Sequence, residues 1–145
     1  MRISTKGQNA IKLMLDLAVY STGEPVKLKD IAKRQNISEK YLEQIISLLH
    51  KDRLVKSVRG ARGGYTLYDV PEHYTVGQIL RAAEGSLAPT DCVGENGKLC
   101  ENMGSCVCYR LWTKLDDAIS EVLDSITLAD MLDWQNELMG DQYVI

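Results

Sequence analysis

A chain of 145 residues with 45% hydrophobic side chains can bury one ordinary core, or form a small domain with an appendage that a partner covers. Its most apolar early stretch, Leu13 to Tyr20, is interrupted by Asp16, so neither a signal peptide nor a membrane span is read, and a cytoplasmic protein is expected. The net charge of −3 is unevenly placed: residues 1–80 carry 13 Lys+Arg against 8 Asp+Glu, and residues 81–145 carry 4 against 12. A basic amino-terminal half suits contact with a polyanion, and an acidic remainder suits facing away from it.

From Lys6 to Tyr20, apolar Ala10, Ile11, Met14, Leu17 and Ala18 recur at three- and four-residue steps, the period of one buried helical face. Gly23-Glu24-Pro25 ends that helix. A short second helix follows over Lys29 to Gln35, and Asn36 suits the left-handed backbone of a tight turn. Ser38 is placed to cap a third helix, whose Leu42, Ile45, Ile46 and Leu49 face inward. The opposite face is polar, with Glu39, Lys40, Glu43, Ser47 and His50. Two short helices joined by a turn, the second with a polar outer face, form the helix-turn-helix pattern.

Leu54 to Val58 then reads as a strand, Arg59-Gly60-Ala61-Arg62-Gly63-Gly64 as a cationic turn, and Tyr65 to Tyr68 as a returning strand. This hairpin has the form of a wing. Glycines let its tip lie close to a sugar-phosphate backbone, and Arg59 and Arg62 suit a narrow, electronegative minor groove.

After Pro71, Thr75 caps a fourth helix bearing Val76, Ile79, Leu80 and Ala83, which is expected to pack back onto the first helix and to end at Gly85. A long helix is predicted from about Tyr109 to Ser125. Its apolar positions, from Leu111 and Trp112 through Leu115, Ile119 and Val122 to Ile126, form a stripe wider than one small domain covers, so a second copy of the chain is expected against it. Thr127 and Asp130 open a last helix, and Trp112 and Trp134 read as core or dimer anchors. The fold expected is mainly α with a small β-hairpin: a winged helix-turn-helix domain over 1–84, a cysteine-rich sensor loop over 85–108, and a helical dimerisation region over 109–145.

Four cysteines lie between them, spaced Cys92-x7-Cys100-x5-Cys106-x-Cys108 and interleaved with Gly94, Gly97 and Gly104. Thiolates are soft ligands, and in a reducing compartment clustered cysteines point to a metal or redox sensor rather than to permanent disulfides. No Cys-x-x-Cys knuckle occurs, so a zinc ribbon or thioredoxin signature is absent. An iron–sulfur cluster, a thiol or disulfide switch, zinc, and no ligand at all remain open from these residues, in that order of preference. A redox enzyme carrying the cluster is disfavoured, because no nucleotide-binding glycine fingerprint or nucleophile–base pair is visible.

Three segments carry a resemblance that runs nearly end to end: Met1-Arg2-Ile3-Ser4-Thr5-Lys6-Gly7, Ile37-Ser38-Glu39-Lys40-Tyr41-Leu42-Glu43-Gln44, and Val58-Arg59-Gly60-Ala61-Arg62-Gly63-Gly64-Tyr65. With three cysteines before the long helix and Leu111-Trp112, the chain resembles the IscR-type iron–sulfur cluster regulator family of winged-helix repressors. The resemblance implies a homodimer on a pseudo-palindromic duplex DNA operator, with an iron–sulfur cluster, [2Fe–2S] before [4Fe–4S], tuning affinity. It places Ser38, Lys40, Tyr41, Glu43 and Gln44 at the major groove, Arg59, Gly60 and Arg62 at the minor groove, and cluster ligands at Cys92, Cys100 and Cys106. A cluster-free thiol switch governing cysteine or sulfur metabolism is the alternative within the same family.

The sequence departs from that family at the fourth ligand. Where one branch has a histidine three residues after the third cysteine, this chain has Tyr109; where the nitric-oxide-sensing branch has an amino-terminal aspartate, it has Gln8. Cys108 is an additional thiol that could replace either.

Overall fold

The computed structural model describes residues 2–94, 97–98 and 100–141; residues 95, 96 and 99 of the expected sensor loop and 142–145 of the expected dimerisation region lie outside them. The described elements are α1 (Thr5–Tyr20), α2 (Leu28–Gln35), α3 (Glu39–Lys51), β1 (Val55–Val58), β2 (Gly64–Leu67), α4 (Val76–Glu84), α5 (Val107–Ser125) and α6 (Leu128–Asp141). Single 3-10 turns stand at Pro71–His73 and Met103–Ser105.

Helix α1 starts at Ser4, whose hydroxyl accepts from the Gly7 N–H at 3.2 Å. Its Ala10, Leu13, Met14 and Leu17 are fully buried, and they meet Ile31 of α2, Leu42, Ile45 and Leu49 of α3 and Ile79 of α4 in one core. As expected, α4 packs on α1. Asn36 takes φ +53° between α2 and α3, the left-handed backbone a tight helix-turn-helix corner needs.

The two strands pair antiparallel with Val55 opposite Leu67 and Val58 opposite Gly64. Each lies within one residue of its expected bounds. Tyr65 also exchanges both backbone hydrogen bonds with Val26, at 2.9 and 2.8 Å, so the segment before α2 forms a third rung and anchors the wing. A side chain at Gly64 would run into the Val26 carbonyl, so this junction requires glycine. Behind the wing, the buried Tyr74 hydroxyl donates to Leu54 O and accepts from Asp69 N, both at 3.0 Å. Burial pushes the Tyr74 phenol up from its ordinary pKa.

The carboxy-terminal helices are not a separate body. Val76 N donates to Ile126 O at 2.9 Å and Leu128 N to Tyr74 O at 2.8 Å, and Leu128 has no exposed surface within the winged-helix core. The predicted start of the long helix is corrected: α5 begins at Val107, with Cys106 as its N-cap. Cysteine has little capping propensity, which is why the sequence pattern sets the start two residues late.

Asp16 interrupts the apolar run of α1 because it is a tether. Its side chain is fully buried and receives Arg34 Nη2 at 2.7 Å, Arg34 Nε at 3.0 Å and Gln35 Nε2 at 3.0 Å, while the guanidinium stacks over Tyr20 at 3.9 Å. The pair pins α2 onto α1. Arg34→Ala strands a buried carboxylate and is expected to cost about 2–3 kcal/mol, less than a wholly buried pair because the arginine is part-exposed; Asp16→Asn, which keeps an acceptor, is expected to cost about 1 kcal/mol. Urea denaturation of the two variants checks the order.

Candidate nucleic-acid interface and cysteine loop

The start of α3 is built to present polar groups. Ser38 Oγ accepts from Tyr41 N at 3.2 Å, which satisfies one open helix N–H and leaves the hydroxyl proton as a donor. Leu42, Ile45, Ile46 and Leu49 hold the inner face of the helix. Lys40, Glu43 and Gln44 are thereby exposed at its amino-terminal end, and Tyr41 is half-buried against the core. Glu43 takes part in no ion pair among the described residues. A carboxylate there accepts from a cytosine amino group and repels phosphate, whereas Lys40 attracts phosphate or an acceptor edge.

The wing tip is a four-residue turn, Gly60-Ala61-Arg62-Gly63, closed by Gly63 N to Gly60 O at 2.9 Å with Gly60 at φ +112°. Arg59, Gly60 and Arg62 are exposed at that tip. Ala61 and Arg62 also wall a surface cleft whose other side carries Lys27 and Lys29 at the start of α2, together with Glu24 and Asp30. Lys27 and Lys29 extend the cationic edge of the wing and were missed by a reading centred on α3. The available signal was two lysines flanking the first residue of the first helix of the pair.

Beyond Gly85, the cysteine loop closes on itself through Lys98 N to Asp91 O at 2.8 Å and Gly97 N to Gly94 O at 3.1 Å, with Val93 buried. Cys92 is half-buried, its Sγ 3.1 Å from Thr90 Oγ1. Cys100, Cys106 and Cys108 are exposed, and all four cysteines are free thiols. Among the described residues no three Cys, His, Asp or Glu side chains are gathered to hold a metal. The donor set is soft and fits an iron–sulfur cluster chemically, but the loop must close to bring it together.

Cys106 Sγ accepts from Tyr109 N at 3.4 Å, fixing the first turn of α5. The cleft on this side is lined by Cys106, Val107, Tyr109, Arg110, Thr113 and Lys114, together with Gly104 and Ser105. Cys108 is not among them. At about 100° per helical residue it falls on the face of Trp112, Leu115 and Ile119 instead. Gln8 is exposed and its amide donates to Ile3 O at 3.2 Å.

A helix-turn-helix with a polar second helix, continued by a cationic two-stranded hairpin, defines a winged-helix DNA-binding regulator. The model of the Rrf2 family, described as an iron-dependent transcriptional regulator, matches residues 3–134, and the chain belongs to that family of transcriptional regulators. The HTH-type transcriptional regulator IscR of Erwinia tasmaniensis is 42% identical over 139 residues, covering 96% of this chain and 83% of that protein. Among solved structures, T. potens IscR is 46% identical with a TM-score of 0.77, over 95% of this chain and 90% of the other. CymR, the global cysteine regulator of B. subtilis, is 41% identical with a TM-score of 0.74, over 92% and 98%. No helix among the described residues is long and apolar enough to cross a membrane.

Truncating an exposed wing arginine leaves the core undisturbed, so it tests the expected groove contact directly. Arg59→Ala is expected to weaken operator binding by about 1–3 kcal/mol. Lys27→Ala is expected to weaken specific and nonspecific duplexes alike and to lower the slope of log affinity against log salt by about one. Mobility shifts over a salt series separate the two behaviours.

Proposed function

We propose that the protein is a cytoplasmic, homodimeric regulator that reads a pseudo-palindromic duplex with α3 and the wing, and whose affinity is set by an iron–sulfur cluster in the cysteine loop. It has no enzymatic role in this reading. The observation that carries it is the place of the thiols: Cys92, Cys100 and Cys106 lie on the segment that joins α4, seated in the DNA-binding body, to α5, and Cys108 lies in the first turn of α5. A ligand that closes that loop acts on both ends at once. Ser38, Lys40, Tyr41, Glu43 and Gln44 meet the major groove, and Arg59, Gly60 and Arg62 the minor groove.

Cys92, Cys100 and Cys106 would hold the cluster. Bound there, it would couple iron supply or redox state to thiolate ligation and hence to loop closure. The fourth ligand is Tyr109, a group from the partner subunit, or Cys108 after a change in the first turn of α5. A [2Fe–2S] centre is preferred over [4Fe–4S].

The subunit seam is the outer stripe of α5. Leu111 and Val122 are 55% and 56% exposed, Leu115 is 38% exposed, and none of the helix is fully buried within one chain. Trp134 and Leu138 of α6 are exposed as well. A second copy covers apolar surface that would otherwise face water.

Anaerobic purification followed by visible spectroscopy and mobility shifts, with and without the cluster, tests the central reading. A coloured dimer whose operator affinity changes when the cluster is removed is expected. A colourless dimer that still binds DNA and responds to thiol oxidation points to the thiol switch instead. Ala at Cys92, Cys100 or Cys106 should abolish the visible absorbance and iron content while the chain stays folded. Ile119→Asp should shift sedimentation from dimer to monomer, and a wild-type-like dimer would remove α5 from the seam.

A further inference from the structure

We propose that the Arg81–Asp124 ion pair determines operator spacing: it fixes the angle at which each winged-helix body is held on α5, and so selects the distance between half-sites that the dimer accepts. This rests on the homodimer reading above. Arg81 lies in the last turn of α4, just before the cysteine loop, and Asp124 lies at the carboxy-terminal end of α5. Arg81 Nη1 meets Asp124 Oδ1 at 2.6 Å, Nη2 meets Oδ2 at 3.3 Å, and Nη2 also reaches Ser120 Oγ at 3.4 Å. A planar guanidinium on a carboxylate is a directional contact, unlike a point charge.

The side chains are 37% and 46% exposed. Such pairs add little to stability. Their geometric effect is larger, because Val76 already joins α4 to Ile126 by a backbone hydrogen bond. With the Leu128 to Tyr74 bond it fastens only the carboxy-terminal end of α5, which leaves a hinge. A second attachment, five residues further along α4, turns the hinge into a set angle.

Gly77 is the third part of the device. A β-carbon there would collide with the Asp124 carboxylate and lie 2.6 Å from Arg81 Nη1. Glycine inside a helix is less favourable than alanine by about 1 kcal/mol, and here it leaves room for the carboxylate, which a β-carbon would displace. Ser86 and Gly94 of the cysteine loop wall the cleft beside the pair, together with Asp116 and Ser120 of α5.

The test uses the full chain, Asp124→Asn and Gly77→Ala. Asp124→Asn keeps the shape and removes the charge; Gly77→Ala pushes the carboxylate away. Each protein selects from a pool of duplexes carrying two half-sites at varied separation, and affinities are then measured at the preferred spacing and one base pair either side. One base pair moves a half-site by about 3.4 Å and about a tenth of a turn. Both variants are expected to remain dimers and to bind an isolated half-site as the wild type does. Their preference for the wild-type spacing over its neighbours should fall by about threefold or more, with Gly77→Ala also moving the optimum. Dimeric variants with the wild-type spacing profile overturn the proposal, as does a monomeric Asp124→Asn, since the pair would then hold subunits together rather than set an angle. A wild-type chain that binds as a monomer, or ignores spacing, removes the homodimer reading along with it.

Discussion

The placing of α5 and α6 depends on one burial. Leu128, the first residue of α6, sits without exposed surface in the core made by α1, α3 and α4. The backbone rungs on either side, Val76 to Ile126 and Leu128 to Tyr74, hold it there. Thr127 and Asp130 then cap α6 reciprocally, Thr127 N to Asp130 Oδ2 at 2.9 Å and Asp130 N to Thr127 Oγ1 at 3.1 Å. The chain therefore leaves the core along α4, makes the cysteine loop, returns along α5 and is fastened at Leu128. Events in the loop occur between two anchored ends.

That arrangement explains why so little of α5 is buried within one chain. Its fastening is at its carboxy-terminal end and along the Arg81–Asp124 side, and the apolar stripe through Leu111 and Val122 faces outward. The acidic excess of residues 81–145 keeps this half of the molecule unattractive to a polyanion, while cationic side chains gather at α3, the start of α2 and the wing tip. Charge separation along the sequence thus becomes a division of labour in space.

Most of the fold was legible because its signals are local. Ser38 and Thr75 are caps, Asn36 is a corner, and the apolar residues of α1 and α3 repeat at helical spacing; each is a statement about neighbours within four residues. What escaped is nonlocal or unfavoured locally. Asp16 reads as an interruption until Arg34 and Gln35 are beside it. Arg53 takes φ +57° at the exit of α3, a backbone that arginine disfavours and no local pattern announces. Lys27 and Lys29 gain meaning only across the cleft from Arg62. For the proposed site, the candidate reading residues follow from a helix face and a hairpin tip, whereas the cysteine spacing says which thiols are near in sequence and not which ones meet.

The cap on α5 has a practical consequence for any experiment on the cysteine loop. Cys106 does two jobs with one atom: its sulfur is a ligand candidate and also the acceptor that starts a nineteen-residue helix. Replacing it with alanine removes both, so the variant conflates a lost ligand with a frayed helix end, a loss of about 1 kcal/mol when the residue removed is a good cap. Serine keeps a hydroxyl oxygen where the N–H of Tyr109 points while discarding the soft thiolate. Cys106→Ser and Cys106→Ala together therefore resolve chemistry from architecture at a position where a single substitution cannot.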